Sequence, residues 1–135
     1  MARIPDSHPR KKSLESRQKI VDGSAMGLLA ESAMIAHGRG EAFDYLLGER
    51  TTSSAKGAIR ECAARLMNAR RSVISVNGNT VVLAGDGAIR LAAVLGCSVE
   101  VNLYYRTPSR VKGLISLLEE KRLKVSQEDA PEGFN

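Results

Sequence analysis

The chain has 135 residues, 43% of them hydrophobic and 26% charged, and a formal net charge of +5. Its length and composition indicate one folded domain and not a disordered protein. No signal peptide or membrane-spanning run stands out, so we expect a cytoplasmic protein with no membrane partner. The two cysteines, Cys62 and Cys97, lack metal-ligand spacing, and we expect buried free thiols and no permanent metal site.

The positive charge allows two kinds of partner. Residues 1–22 carry six lysines and arginines against three acidic residues, whereas the whole chain has two Phe, three Tyr and no Trp for stacking on bases. A basic nucleic-acid-binding module therefore stays open as the alternative. An anionic small molecule explains the charge equally well.

Helices are predicted in the first part of the chain. An extended lead-in with two prolines precedes a helix over residues 13 to about 26. Residues 28–35 are apolar and fit either a buried loop or a helical turn, and a short helix follows over residues 41–47. The cap-rich residues 51–54 then begin a longer helix, whose apolar residues recur at three- and four-residue steps and predict a buried stripe.

Two strands alternate with helices in the second part. Residues 72–76 are a short β-branched run that predicts a buried strand, and a turn at residues 77–79 ends it. A helix capped by Asp86 then leads to a second strand over residues 98–103. The carboxyl ends of these two strands are therefore expected at one rim of a sheet.

The last part of the chain completes the predicted fold. Thr107 and Pro108 open a helix, and residues 123–125 favour the start of a third strand. Alternating strands and helices predict an α/β domain with a parallel sheet over residues 1–125, preceded by a helical segment. Residues 126–135 are polar and are expected to form a disordered tail. Two or three strands leave edges unpaired, so we expect a truncated sheet or one that a partner completes.

A glycine-bracketed arginine is the first candidate binding residue. Arg39 stands between Gly38 and Gly40, directly before the predicted short helix. Glycines permit close approach of the backbone to a ligand, and free amides at a helix start attract anions. Arg39 is therefore expected to bind a phosphate or a carboxylate.

The neighbours of Arg39 supply the candidate catalytic residues. His37 alone is more often structural than catalytic, although a general-base role stays open. Glu41 and Asp44 share a helix face, where helix-start electrostatics and solvation are the simpler explanation. His37 and Glu41 remain the two candidates, and the catalytic residue stays unknown.

The predicted sheet rim supplies a second candidate site. Asn77 and Asn79 follow the first strand, and Arg106 follows the second. Ligands of open parallel sheets bind at this rim, where amides orient a substrate and an arginine neutralises a phosphate. The alternative, that both asparagines only form the turn, has equal weight. The chain has no P-loop motif, and Arg90 replaces the third glycine of a dinucleotide fingerprint.

Several motifs together resemble the N-terminal part of one known family. They include IAHGRGEAFDYLLGE at 35–49, VISVNGN at 73–79 and VEVNLYYRT at 99–107, with Ser13, Leu14 and Arg17 in the first helix. In order and spacing, up to about Leu123, they resemble the archaeal 4-phosphopantoate–β-alanine ligases, also called phosphopantothenate synthetases.

The resemblance implies an ATP-dependent ligase of coenzyme A biosynthesis. In such enzymes ATP activates 4-phosphopantoate as an acyl-adenylate with release of pyrophosphate, and β-alanine then attacks to give 4'-phosphopantothenate and AMP. Mg²⁺ accompanies the ATP. The family implies a homodimer with a Rossmann-like core. Arg17 and Arg39 match its ATP-contacting arginines, and Asn77 and Asn79 are expected to orient 4-phosphopantoate, with Arg106 nearby.

The resemblance also implies that much of the family's sequence is missing. The remaining nucleotide contacts lie in that missing part, and residues 127–135 do not resemble the family's continuation. We therefore expect little ligase activity from this chain alone. The alternative is a non-catalytic fragment that needs a separate C-terminal half.

Overall fold

The computed structural model describes residues 4–128. Over this range it has five helices and two strands. In chain order they are helix α1 (Lys11–Ala25), helix α2 (Ser32–Leu47), helix α3 (Ser53–Asn68), strand β1 (Val73–Val76), helix α4 (Gly78–Leu95), strand β2 (Ser98–Val101) and helix α5 (Pro108–Glu128).

The two strands form a parallel pair joined by α4. Val73 pairs with Ser98 and Val76 pairs with Val101, and the Asn102 amide donates to the Val76 carbonyl at 2.9 Å. A parallel pair requires a crossover, which α4 supplies. The predicted α/β architecture with a parallel sheet and an N-terminal helical segment is confirmed for the described residues.

The core lies around α4, which packs against β1, β2, α1 and α5. The most deeply buried large side chains are Ile20 of α1, Val81 of α4 and Leu114 of α5. Burial of an aliphatic side chain of this size contributes about 2 kcal/mol. Helix α4 therefore lies at the centre of the described fold, with strands and helices packed around it.

Helix α4 is also long and apolar enough to cross a membrane, by length and composition alone. The sequence analysis did not predict this. It has 18 residues with a mean hydropathy of 1.2. The same pattern is typical of a core helix between a sheet and other helices, and this is the packing that α4 has.

Helix α2 corrects the prediction for residues 28–47. The helix runs from Ser32 through Gly38, Arg39 and Gly40 without interruption, so the predicted start of a short helix at residue 41 is wrong. Glycine inside a helix costs about 1 kcal/mol relative to alanine. Contacts of α2 before and after the two glycines offset this cost, because Ala33 is buried and Glu41 accepts a hydrogen bond from Ser13 of α1.

Helix α4 begins eight residues before Asp86, so the predicted start at Asp86 is wrong. Asn77 caps the helix by accepting from the Thr80 amide at 2.9 Å. Ala84 interrupts the helical backbone with φ −139° and ψ 20°, just before Gly85. The sequence signals near Asp86 therefore mark a kink within one long helix.

The predicted third strand at residues 123–125 is wrong, because α5 continues through it to Glu128. Leu114, Leu118 and Val125 lie four and seven residues apart and are buried on one face. The helical spacing of these buried residues therefore indicates the observed structure better than the short apolar run at residues 123–125 does. Most of the predicted tail, residues 129–135, lies outside the described residues.

Helix α3 begins with the predicted cap, since the Thr52 hydroxyl accepts from the Ala55 amide at 3.2 Å. The expected burial of its apolar stripe is wrong, because α3 has no buried residue. Cys62 on this helix is exposed and Cys97 is half-buried, and both are free. The apolar stripe of α3 is therefore uncovered within residues 4–128.

Candidate functional site

A carboxylate joins α1 to α2. Ser13 Oγ donates to Glu41 Oε1 at 2.7 Å, and Arg10 Nη2 donates to the same oxygen at 3.3 Å. Arg17 Nη1 lies 3.5 Å from Glu41 Oε2, and His37 Nδ1 lies 4.0 Å from it. These five residues form what we call the Glu41 cluster.

Helical spacing brings the cluster together. Arg10, Ser13 and Arg17 lie three and four residues apart at the start of α1, so they share one face. His37 and Glu41 lie four residues apart on α2 and face them. Sequence reasoning named Arg17, His37 and Glu41 but missed Arg10 and Ser13, although the three- and four-residue spacing to Arg17 was a usable signal.

The cluster carries an excess of positive charge. The Ser13 hydrogen bond holds the pKa of Glu41 below its ordinary value against the opposing effect of burial, and the charges of His37, Arg10 and Arg17 act in the same direction as Ser13. Glu41 is therefore ionised at neutral pH. Its single negative charge faces two guanidinium groups, so the cluster attracts a further anion.

Two buried nitrogen atoms of the cluster have no hydrogen-bond partner. They are Arg10 Nε and His37 Nδ1, which lies too far from Glu41 for a hydrogen bond. Buried polar atoms in native proteins are normally paired. The Arg10 Nε–H is a donor that an oxygen atom of an anion satisfies, and the arrangement therefore fits a phosphate group.

A cavity of about 720 Å³ lies beside the cluster. Its lining includes Ser13, His37 and Glu41 from the cluster, together with Lys12 and Asn79. This volume lies within the usual range for small-molecule sites. His37 is therefore accessible to a small molecule in this cavity.

Arg39 lies away from this cavity. It is exposed and lies two residues from both His37 and Glu41, which is about 200° around the helix. The free amides of a helix start that we expected beside it are absent, because residue 39 is inside α2. The structure brings Arg17 to Glu41 and does not bring Arg39 to them.

A second pocket, of about 260 Å³, lies at the predicted rim of the sheet. Asn77, Asn79, Tyr104 and Arg110 line it. Asn77 accepts from the Thr80 hydroxyl at 3.0 Å, and Asn79 Nδ2 donates to the Ala33 carbonyl at 3.1 Å. Both asparagines therefore hold local structure at the rim, and their role toward a substrate stays a prediction.

The arginine that lines the rim pocket is Arg110, and not the predicted Arg106. Arg106 is exposed and does not line the rim pocket. Arg110 Nη1 donates to the Tyr105 carbonyl, and Arg110 Nε is buried without a partner. Sequence reasoning missed Arg110, although its position in the first turn after the Thr107 cap places it beside the rim.

Comparison with known proteins gives one consistent family. The model of phosphopantothenate/pantothenate synthetases matches residues 54–132. The match passes Leu123, where the resemblance was expected to end, and includes part of the segment expected to depart from the family.

Curated relatives carry a single name, 4-phosphopantoate–β-alanine ligase. The protein of Thermococcus onnurineus is 50% identical over 114 residues, which are 84% of this chain and 44% of the relative. The proteins of Methanospirillum hungatei and Methanosarcina mazei are 50% and 48% identical over 117 and 119 residues, or 48% and 47% of their lengths. The chain thus spans less than half the length of these relatives.

Proposed function

Because the chain belongs to the phosphopantothenate/pantothenate synthetase family, we propose that it forms part of a ligase that joins 4-phosphopantoate to β-alanine with ATP, in coenzyme A biosynthesis in the cytoplasm. The relatives' name specifies the two substrates. The Glu41 cluster is the observation that carries the proposal, because it offers an anion two arginines, of which Arg10 has a buried Nε without a partner.

The reaction brings together a triphosphate, a phosphate monoester and two carboxylates. The substrate carboxylate attacks the α-phosphorus of ATP and pyrophosphate leaves. The amine of β-alanine then attacks the activated acyl carbon, loses a proton, and displaces AMP. Fixed cations in a desolvated site stabilise the charge that develops in both steps. Such a reaction needs positioning and charge neutralisation more than an enzyme nucleophile.

Arg17 and Arg10 bind the phosphates of ATP in this proposal. Arginine supplies planar, bidentate donors that match a phosphate, and Arg10 has a buried Nε to offer. Its guanidinium also lies 5.6 Å from the ring centre of Tyr45, which limits its movement. Glu41 positions both arginines. Arg39 lies on the opposite side of α2 from the cluster, and its contact with the nucleotide stays a prediction.

His37 accepts the proton from β-alanine. Glu41 is a poor candidate for this role, because its lowered pKa keeps it ionised and Ser13 and Arg10 hydrogen-bond to it. His37 lines the cavity beside the cluster, with Glu41 close to its Nδ1. We expect His37→Gln to lower turnover of the complete ligase by about 10²-fold or more, while ATP affinity changes little.

The rim pocket holds 4-phosphopantoate, with Asn77 and Asn79 orienting it and Arg110 facing its phosphate. Arg106 serves as a second, exposed cation at the mouth. Mg²⁺ enters with the nucleotide and neutralises triphosphate charge. Among the described residues no group of three His, Cys, Asp or Glu side chains is placed to hold a metal ion.

The family fold and assembly complete the proposal. A Rossmann-like sheet extends the β1–β2 pair, with residues 1–125 as one part of its domain. The exposed face of α2 that carries Arg39 also carries Ile35, Phe43 and Leu46, which are all exposed. A second copy of the chain covers this apolar face in a homodimer.

ATP binding by this chain tests the proposal directly. Isothermal titration with Mg·ATP is expected to show binding that Arg17→Ala weakens by about tenfold or more, since a charge-assisted contact to phosphate is lost. Arg39→Ala is expected to weaken binding as well.

Lys19→Ala is the matched control, because it removes one positive charge from the same helix at an exposed position. Equal loss with Lys19→Ala, or no ATP binding by the wild-type chain, would contradict the proposal. The nucleic-acid alternative predicts affinity for DNA or RNA that falls steeply with salt.

A further inference from the structure

The 720 Å³ cavity beside the Glu41 cluster is lined by neither arginine of that cluster. Glu41 borders this cavity and also a smaller one of about 480 Å³, and Arg10 lines only the smaller one. Arg17 lines neither of the two. Phosphate groups that bind to these arginines therefore leave room in the larger cavity for another ligand.

Two cations and two anions line the larger cavity in addition to Glu41. They are Lys12 of α1, Asp44 of α2, and Glu49 and Arg50 of the turn after α2. Within residues 4–128, none of these four side chains forms an ion pair or a hydrogen bond with another residue. Equal numbers of available positive and negative charges complement a zwitterion better than a polyanion.

The turn after α2 holds two of these charges at the cavity. The amides of Gly48 and Glu49 both donate to the Asp44 carbonyl at 2.8 Å, and the two residues have positive φ angles of 81° and 49°. A positive φ is uncommon for a residue other than glycine. The turn ends α2 in this way and places Arg50 in the same cavity as Asp44.

A buried histidine nitrogen in the lining has no hydrogen-bond partner. The His37 side chain is only 10% exposed, and its Nδ1 lies 4.0 Å from Glu41 Oε2 without a hydrogen bond. Buried polar atoms are normally paired. The amine group of a ligand satisfies both atoms at once, since it donates to a neutral ring nitrogen and to a carboxylate oxygen.

This cavity shares a wall with the rim pocket. Ala36 and Asn79 line both, and Asn79 is held in place by its hydrogen bond to the Ala33 carbonyl. His37 follows Ala36 in α2, whereas Arg50 lies beyond the other end of that helix. An amine at His37 is therefore next to the pocket proposed for 4-phosphopantoate, with Arg50 on the far side.

We propose that the larger cavity binds a short zwitterionic amino acid, which in the ligase reaction proposed above is β-alanine. The amine lies beside His37, and Asp44 and Glu49 supply the negative charge that attracts it. The carboxylate pairs with Arg50, and Lys12 adds positive charge at the same end. The inference rests on the proposed function for the identity of this amino acid.

Titration with β-alanine and two analogues that carry one charge each tests the site. Propanoate lacks the amine and propylamine lacks the carboxylate, so each reports on one end of the cavity. We expect ¹H–¹⁵N NMR spectra of the chain, recorded without nucleotide, to show tighter binding of β-alanine than of either analogue.

Two variants separate the ends of the cavity. Arg50→Gln is expected to weaken β-alanine and propanoate by about tenfold and not to weaken propylamine, because it removes the partner of the carboxylate. Asp44→Asn is expected to weaken β-alanine and propylamine by about tenfold and not to weaken propanoate. A purely structural effect would weaken all three ligands alike.

Arg60→Gln is the matched control, because Arg60 is exposed on α3 and does not line the cavity. It should leave all three affinities unchanged. Equal affinity for β-alanine and propanoate, equal loss of all three ligands in either variant, or no binding of β-alanine to the wild-type chain would overturn the inference. The titration contains no nucleotide, so a failure of ATP binding would count against the proposed function and not against this site.

Discussion

Glu41 connects the chemistry of the candidate site to the stability of the fold. Its side chain is 15% exposed and accepts from Ser13 on α1, while Arg10 and Arg17 lie on its two oxygen atoms. The same contacts that hold α1 against α2 therefore fix the two arginines. Sequence spacing predicts that His37 and Glu41 share a face, but it does not indicate which residues on α1 they meet.

Glu41→Gln is expected to destabilise the fold at neutral pH by about 1.5 kcal/mol, the usual value for a hydrogen bond to a charged group. Because the folded-state pKa of Glu41 lies below its ordinary value of 4.5, its stabilisation is present above that value. It is lost as the pH falls through the folded-state pKa. Urea unfolding of both proteins from pH 7 down to pH 3 measures the difference.

Asp44→Asn provides the control, since it removes one negative charge from an exposed position on the same helix. The difference in free energy of unfolding between wild type and Glu41→Gln should shrink on acidification, while Asp44→Asn stays close to wild type throughout. A Glu41→Gln deficit that is constant with pH would show that the charge of Glu41 does not stabilise the fold.

At the scale of elements, two glycines of α4 have opposite roles. A Cβ at Gly78 would lie 2.6 Å from Leu29 Cδ2 and 3.5 Å from the Leu28 carbonyl, so the helix start packs closely on the preceding segment. A Cβ at Gly87 would meet nothing within 4 Å. The first glycine fits a closely packed position, and the second only weakens the helix.

Gly78→Ala is therefore expected to destabilise the protein by about 1–3 kcal/mol through overpacking. Gly87→Ala, its control in the same helix, is expected to stabilise by about 0.5–1 kcal/mol, because alanine has the higher helix propensity. Thermal unfolding of the two variants measures both signs. A stabilising Gly78→Ala would mean that Leu29 moves aside freely.

Local signals predicted the elements that depend on local chemistry. Thr52 begins α3, and residues 73–76 form a strand, as the cap and the β-branched run indicate. Prediction failed where contacts distant in sequence matter: Glu41, in the uninterrupted helix α2, is bound to Ser13 of α1, and Val125 is buried on a helical face of α5. The alternation of strands and helices correctly placed the ends of β1 and β2 at one rim, where a pocket lies. The positions of Arg110 and of the Arg10–Glu41 ion pair depend on how the helices pack, which residue spacing alone does not specify.

The whole molecule leaves three apolar surfaces uncovered within residues 4–128. They are the groove beside β2, the stripe of α3 and the outer face of α2. Contiguous exposed apolar area of this kind marks interfaces. The groove is lined by α4, β2 and α5, whereas the outer face of α2 belongs to a single helix. Separate partners are therefore expected to act on separate faces.

The homodimer prediction belongs to this scale. Leu46→Glu puts a charge at the C-terminal end of the outer face of α2, where a second copy would desolvate it at a cost of several kcal/mol. We expect the wild-type chain to sediment as a dimer and Leu46→Glu to sediment as a monomer in analytical ultracentrifugation. Val94→Glu is the control, because Val94 is 84% exposed on α4 and Leu46 is 83% exposed on α2. If Val94→Glu dissociates the dimer and Leu46→Glu does not, the dimer forms through α4, and Arg39 then has no place at the subunit interface.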